Sequence, residues 1–306
     1  MAHPDRPSLL LPILLVVVVL VAAGVGTGLL YEHNNVRSTT PIRVVQVGDN
    51  VTVNYIGYFG SGPQVGRVFD TSIYSVATNN LTWPKSLEFS YRGSEAAYSP
   101  LPVHVGPSAP SGGYTVGGLT FSSVVPGFWQ GLLGLPVNTS QTVSVPPDLG
   151  YGSGNPGCLV LRPLTTTVPV TVTVPPANFT KSYPGTNATP GVVFVDPTYG
   201  WNDLILSANA SAVVVENLPT VGWTVPGTGW PVVVTAVTTT TITVTNRLTL
   251  SDQGVVLGQG TAPSGCSGPK YIVSAVDPAA GTYTQDFNPE VDGQTLVFVV
   301  SVYEFY

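Results

Sequence analysis

The stretch of residues 124–152, VVPGFWQGLLGLPVNTSQTVSVPPDLGYG, constrains the fold of this chain more than any other. A Pro-Gly pair interrupts its apolar start, and residues 128–135 then predict a short helix with one apolar face. Residues 142–145 alternate apolar and polar side chains, as a strand does. No residue here provides a nucleophile or a metal site. An apolar floor and the loop hydroxyl of Tyr151 predict a pocket for something small and apolar.

Four blocks in this order resemble the FKBP-type peptidyl-prolyl cis/trans isomerases. They are VGDNVTVNYIGYF at residues 47–59, GRVFDTS at 66–72, the stretch 124–152, and DGQTLVFVVSVYEF at 292–305. A long segment separates the third block from the fourth. That layout resembles the SlyD-type subgroup, in which a chaperone-like insert-in-flap domain interrupts the isomerase at this point. The resemblance implies an antiparallel sheet wrapped on a short helix, with an inserted β-rich second domain.

The resemblance also implies which side chains form the pocket. It assigns the catalytic positions to Tyr55, Phe69, Asp70 and Tyr151, and the substrate-binding walls to Leu101, Val124, Val125, Phe128 and Phe298. Two positions have another interpretation. Asp70 precedes a Thr and a Ser, and could merely cap a turn. Leu87 competes with Leu101 for one wall, because KSLEFS at residues 85–90 also matches the family strand that residues 100–106 otherwise supply. Residues 73–98 are an enlargement near the pocket that compact members of the family lack.

The implied reaction needs neither a nucleophile nor a cofactor. An X–Pro bond rotates over a barrier of about 18–20 kcal/mol, and no bond is broken. A dry pocket that holds the proline ring disfavours the planar, dipolar amide more than the twisted one. In the family mechanism Asp70 orients the amide and is not a proton-transfer base. We therefore expect no cofactor and no metal, and the histidines and cysteines form no metal-binding motif.

The composition favours a mostly β (α+β) protein with many turns. Val and Thr are abundant, and the chain contains 34 glycines and 29 prolines. Two runs of β-branched residues, 231–237 and 240–245, predict a hairpin. A hydrophobic content of 43% argues against a disordered chain. The net charge of −6 provides no basic patch, so nucleic acid is not an expected partner.

The N-terminal region contains a separate signal. Residues 8–31 carry no charge and are long enough to cross the roughly 30 Å apolar interior of a bilayer. We expect an N-terminal transmembrane helix and a single-pass membrane protein whose folded domains are extracytoplasmic. A cleaved signal peptide is the rival interpretation, because Ala22-Ala23-Gly24 could be a cleavage site. Six Asn-X-Thr/Ser sequons agree with an extracytoplasmic location.

These signals divide the chain into five parts. We expect a membrane anchor in residues 1–31, a tether in 32–41, the first part of the isomerase domain in 42–157, the inserted β-rich chaperone-like domain with its linkers in 158–285, and the last isomerase strand in 286–306.

The cysteines and tryptophans of the insert allow two interpretations each. Cys158 and Cys266 lie at its edges and predict a disulfide that clamps it, with two unpaired small apolar side chains as the alternative. We expect core positions for Trp201, Trp223 and Trp230. The alternative is that these residues form an apolar surface for unfolded clients.

The expected function is prolyl isomerisation that assists the folding of exported or surface proteins. Its partners would be proline-containing peptides, unfolded client proteins and the membrane, and we expect a monomer. The alternative is a non-catalytic extracytoplasmic binding, chaperone or adhesion module on the same fold. A hydrolase finds little support, because the chain has no GxSxG elbow and its histidines lack the context of a triad.

Overall fold

The computed structural model describes residues 42–306, and their fold is mostly β, as the composition predicts. The strands are β1 (Asn50–Phe59), β2 (Val68–Thr71), β3 (Leu101–His104), β4 (Tyr114–Val116), β5 (Leu119–Phe121), β6 (Ser140–Val145), β7 (Leu159–Pro163), β8 (Thr165–Pro169), β9 (Thr171–Val174), β10 (Val193–Val195), β11 (Asn202–Ala208), β12 (Val213–Asn217), β13 (Val232–Val237), β14 (Thr241–Asn246), β15 (Leu257–Gln259), β16 (Lys270–Asp277), β17 (Thr282–Asp286) and β18 (Leu296–Phe305). The helices are α1 (Tyr74–Thr78), α2 (Pro126–Gln130) and α3 (Pro176–Ser182), and 3₁₀ turns span Glu95–Ala97, Pro147–Leu149, Pro156–Cys158 and Leu250–Asp252.

The expected membrane anchor and tether, residues 1–41, lie outside the described residues. Among residues 42–306, no helix combines the length and the apolar character needed to cross a bilayer. The anchor stays a prediction from the sequence.

The first sheet brings the two ends of the described chain together. β1 pairs antiparallel with β2, β3 and β18, and β18 pairs with β6. The register sets Tyr55 opposite Val300 and Gly57 opposite Phe298. Side chains alternate between the faces of a sheet, so Tyr55 and Phe298 are diagonal neighbours on one face. The last block of the sequence thus completes the surface that the first block begins.

Helix α2 packs closely on strand β6, and glycine makes that approach possible. A Cβ atom on Gly127 would lie 2.6 Å from Val145, and one on Gly131 would lie 2.4 Å from Val143. Side chains on these glycines would therefore push the helix off the sheet. The contact fixes the position of Phe128, which is 3% exposed within the core.

The bounds of α2 differ from the predicted helix at residues 128–135. The helix begins at Pro126, because the fixed φ of proline suits the first turn of a helix. It ends at Gln130, and the chain continues in hydrogen-bonded turns. Leu132 and Leu135 are nonetheless buried in the same core as Phe128, as the apolar periodicity predicts.

The segment from β7 to β17 builds three further antiparallel sheets. Their strand orders are β10-β11-β12-β9, β13-β14-β8 and β15-β16-β17-β7. Strands β13 and β14 form the predicted hairpin. Each sheet contributes to a hydrophobic cluster of its own, centred on residues such as Ile205, Val234 and Val273.

Cys158 and Cys266 form a disulfide across a sequence separation of 108 residues. Cys158 ends the 3₁₀ turn before β7, and Cys266 lies in the loop between β15 and β16. The bridge therefore closes a loop that contains β7 to β15. Of the three tryptophans, Trp201 is buried, Trp230 packs partly buried against two clusters, and Trp223 is 37% exposed.

Candidate functional site

A cavity of about 330 Å³ opens on the inner face of the first sheet. It is bounded by β1, β2, β18, α2 and the loop that follows β6. All nine residues that the sequence analysis assigned to catalysis and substrate binding line this cavity, and Ser123 lines it as well. The lining residues are Tyr55, Phe69, Asp70, Leu101, Ser123, Val124, Val125, Phe128, Tyr151 and Phe298.

Aromatic rings form the floor of this cavity, and they meet edge to face. The centroids of Phe128 and Phe298 lie 4.9 Å apart with the planes at 84°. Phe69 meets Phe298 at 5.6 Å and 88°, and Tyr55 meets Phe128 at 5.8 Å and 86°. This is the preferred geometry for aromatic pairs, and it makes a rigid, apolar box. Such a box suits a small saturated ring.

Gly57 on β1 allows two of these rings to close over the strand. A Cβ atom at this position would lie 2.7 Å from Cζ of Phe69 and 3.0 Å from the ring of Phe298. Its backbone is ordinary extended strand, so the glycine is explained by space and not by a special φ.

The polar side of the cavity is a short network around Asp70. The Tyr55 hydroxyl donates a hydrogen bond to the Asp70 carboxylate, and the backbone N–H of Thr71 donates a second at 2.8 Å. Burial raises the pKa of the Tyr55 phenol well above its ordinary value, and the negative charge of Asp70 raises it further. Tyr55 therefore stays a neutral donor throughout the physiological pH range.

Arg92 completes this network, although no motif in the sequence indicates it. Its guanidinium lies 2.7 Å from Oδ1 of Asp70 and 3.4 Å from the Tyr55 hydroxyl, and it sits over the ring of Tyr98 at 5.1 Å. Arg92 belongs to the enlargement at residues 73–98, where Lys85 is the other cation. Because no motif covers that segment, its predicted place near the pocket was the one indication that a residue from it could reach the site.

Tyr151 presents the free hydroxyl of the site. It follows the 3₁₀ turn Pro147–Leu149 and precedes Gly152, whose φ is 82°. The ring lines the cavity, yet the residue is 52% exposed, and within residues 42–306 the Tyr151 hydroxyl makes no hydrogen bond. Burial of the ring raises the pKa of the phenol, with a contribution from Asp70. Tyr151 can therefore donate to an incoming acceptor.

The structure distinguishes the two candidates for one wall. Leu101 lies on β3 and lines the cavity. Leu87 lies outside the lining, and its backbone N–H donates to the side chain of Gln64 at 2.9 Å. The wall therefore belongs to Leu101.

A second cavity, of about 150 Å³, differs in chemistry. Three carboxylates line it, from Asp286, Glu290 and Asp292, together with the amide of Gln64. Burial raises the pKa of both Glu290 and Asp292. This acidic, amide-rich lining suits a proline ring less well than the aromatic cavity does. Among residues 42–306, no three His, Cys, Asp or Glu side chains converge as a metal site would require.

Comparison with known proteins adds one distant similarity. A curated relative, the short-type peptidyl-prolyl cis-trans isomerase of Methanocaldococcus jannaschii, is 30% identical to this chain over 112 residues. The match covers 36% of this chain and 53% of the relative, so the chain spans about half the length of that protein. No protein-family model matches the chain. The similarity supports a relationship to peptidyl-prolyl isomerases at the level of the family.

Proposed function

We propose that this protein is an FKBP-type peptidyl-prolyl cis/trans isomerase whose active site is the aromatic cavity. The observation that carries the proposal is the composition of that cavity: an edge-to-face aromatic floor beside three polar groups, Tyr55, Asp70 and Tyr151. A proline ring is apolar, whereas the amide that precedes it is polar. The cavity offers a matching surface to each of these parts.

The proposed chemistry is the rotation of the amide in a dry environment. Phe128 and Phe298 hold the proline ring, and Val124 and Val125 cover it. Removal of water disfavours the planar amide, because the charge separation of its resonance form is less well solvated. The Tyr151 hydroxyl holds a carbonyl oxygen of the substrate. About 1.4 kcal/mol of preferential binding to the twisted amide accelerates the rotation tenfold, so a few such contacts are enough.

Asp70 acts in this proposal as a fixed negative charge and not as a base. Its carboxylate already accepts hydrogen bonds from Tyr55 and Thr71 and pairs with Arg92. The network holds the polar wall in place while the amide turns. Preorganised polar groups of this kind favour the transition state without having to reorganise.

The finer assignments rest on the sequence. We propose a SlyD-like subgroup, because a long β-rich segment interrupts the isomerase blocks. We also propose membrane attachment through residues 8–31 and an extracytoplasmic location, which the sequons and the disulfide support. Exported or surface proteins in the course of folding, and other proline-containing peptides, would be the substrates.

A non-catalytic binding module is the alternative, and one observation favours it. Arg92 lies directly on the Asp70 carboxylate at the rim of the cavity, where it competes with any substrate group that seeks Asp70. Such a protein would bind proline-containing segments without turning them.

Refolding of a client protein distinguishes the two functions. The test protein is one whose slow folding phase is an X–Pro isomerisation, and the full chain is added in detergent at substoichiometric amounts. An isomerase accelerates the slow phase catalytically. A binding module leaves its rate unchanged, or slows it only when present in stoichiometric amounts, and that result would overturn the proposed function.

A further inference from the structure

The inserted segment contains a buried carboxyl group that the structure leaves without a partner. Asp203, on β11, is 0% exposed, and within residues 42–306 neither of its carboxyl oxygens takes part in a hydrogen bond. An unpaired buried charge of this kind is strongly unfavourable. Some other chemistry must therefore compensate it.

A second carboxylate lies on the same face of the sheet as Asp203. Asp196 follows β10, is 6% exposed, and donates its backbone N–H to the carbonyl oxygen of Trp201 at 2.8 Å. Because Phe194 lies opposite Asp203, this register makes Asp196 and Asp203 diagonal neighbours on one face of the sheet. Its Oδ1 accepts hydrogen bonds from the backbone N–H groups of Thr198 and Tyr199, both at 2.7 Å. Oδ1 of Asp196 is therefore occupied, and its other oxygen is available to Asp203.

Within residues 42–306 no cation forms an ion pair with either carboxylate, and Lys181, in the last turn of α3, is exposed. The residue after α3, Tyr183, and the turn residue Tyr199 contribute phenols. Strand β12 contributes Asn217, whose side-chain oxygen accepts a hydrogen bond from the Trp201 indole at 3.3 Å. The ion pairs of the described residues, Arg43–Asp49 and Arg92–Asp70, lie elsewhere.

We propose that Asp196 and Asp203 share one proton, and that the sheet β10-β11-β12-β9 loosens when that proton leaves. Protonated Asp203 donates its O–H to the free oxygen of Asp196, which supplies the missing partner and removes one of the two charges. Two adjacent carboxyl groups with one proton are a known solution to this problem. The proposal is independent of the isomerase site.

The electrostatics of the pair agree with this arrangement. Burial raises the pKa of the Asp203 carboxyl to about 7, and the charge of Asp196 adds to the rise. Because this pKa is higher in the folded protein than in the unfolded chain, protonation of Asp203 favours folding. Its stabilising effect is complete below about pH 4 and is lost as the pH rises to about 7.

Hydrogen exchange of the full chain tests this proposal. Protection factors, corrected for the intrinsic exchange rates, are measured for the amides of β11 and β12 between pH 5 and pH 8, in buffer with EDTA. The test variant is Asp203→Asn, whose neutral amide donates to Asp196 at every pH. The control is Glu216→Gln, an acidic residue of β12 that faces away from Val215 and Asn217.

We expect the ratio of protection in Asp203→Asn to protection in the parent to rise about tenfold per pH unit until it levels off near pH 7. Glu216→Gln should follow the parent. Equal pH dependence in Asp203→Asn and the parent would overturn the proposal. The proposal would also be overturned if millimolar CaCl₂ restored protection at pH 8 in the parent and not in Asp203→Asn. The pair would then hold a cation in place of the proton.

If Asp203→Asn does not fold, the parent itself still decides the question. The ¹³C shift of the Asp203 carboxyl group reports its protonation directly. A midpoint near 7 is the expected result. A midpoint close to that of an ordinary aspartate, about 4, would overturn the proposal.

Discussion

The guanidinium of Arg92 lies 2.7 Å from the carboxylate of Asp70 at the rim of the aromatic cavity. The two residues come from different parts of the chain: Asp70 belongs to β2, and Arg92 lies between α1 and β3 in the enlarged segment at residues 73–98. The side chains are 35% and 42% exposed, so water screens the pair. The contact therefore positions the carboxylate more than it stabilises the fold.

This relationship predicts a modest, salt-sensitive loss of activity in Arg92→Ala. An exposed ion pair contributes about 0.2–1 kcal/mol, which corresponds to at most about a fivefold fall in kcat/KM. Arg92→Lys should lie between the parent and Arg92→Ala, because it keeps the charge and loses the fork of donors. High salt should lower kcat/KM of the parent and leave kcat/KM of Arg92→Ala unchanged. Arg43→Ala, which breaks the exposed pair with Asp49, is the matched control.

Gly57→Ala should damage the aromatic box. The added methyl group would lie 2.7 Å from Phe69 and 3.0 Å from Phe298, so both rings must move into the cavity. We expect a loss of about 1–3 kcal/mol in the free energy of unfolding and weaker peptide binding. Gly106→Ala is the control, since its nearest contact would be an ordinary 3.4 Å from His104. Similar peptide affinities for Gly57→Ala and the parent would contradict this account of the floor.

The assignment of one wall to Leu101 has its own test. Leu101→Ala enlarges the cavity directly, so we expect KM for X–Pro peptides to rise several-fold. Leu87→Ala should leave KM unchanged, because Leu87 lies outside the lining. Isomerisation rates measured as the peptide is titrated give KM for the two variants. A larger effect of Leu87→Ala on KM would show that the substrate lies over a different surface.

Removal of the disulfide should destabilise the segment from β7 to β17 more than the aromatic cavity. The bridge between Cys158 and Cys266 closes a loop of 108 residues, for which the chain-entropy model gives about 4–5 kcal/mol. We expect the Cys158→Ala, Cys266→Ala double variant to unfold at a lower urea concentration. Hydrogen exchange should locate the loss of protection between β7 and β17. Equal protection there in the parent and the double variant would contradict the expectation.

Much of the proposed site could be predicted because its residues sit in short, ordered blocks. Tyr55 and Phe298 are far apart in sequence, yet each lies in a block that resembles the family, and the pairing of β1 with β18 brings them to one face. The same holds for Phe128, whose place depends on a proline and two glycines.

Other features could not be read from the sequence. Arg92 lies in a segment without periodicity, and its partner depends on the path of a loop of irregular turns. Asp203 occupies an inward position of β11, next but one to Ile205 in sequence, where the alternating pattern predicts an apolar residue. Burial of a carboxyl group there depends on Asp196, which follows the neighbouring strand β10, so no local pattern reveals it.

The central claim is that the aromatic cavity accelerates X–Pro rotation, and NMR magnetisation exchange on an X–Pro tetrapeptide measures it most directly. We compare the full chain with Tyr151→Phe, and with Tyr303→Phe as a control of similar exposure, 54% against 52%. We expect the parent and Tyr303→Phe to accelerate exchange equally. Loss of one hydrogen bond, about 1 kcal/mol, should make Tyr151→Phe about fivefold slower. A folded parent that leaves the exchange at its uncatalysed rate would contradict the claim.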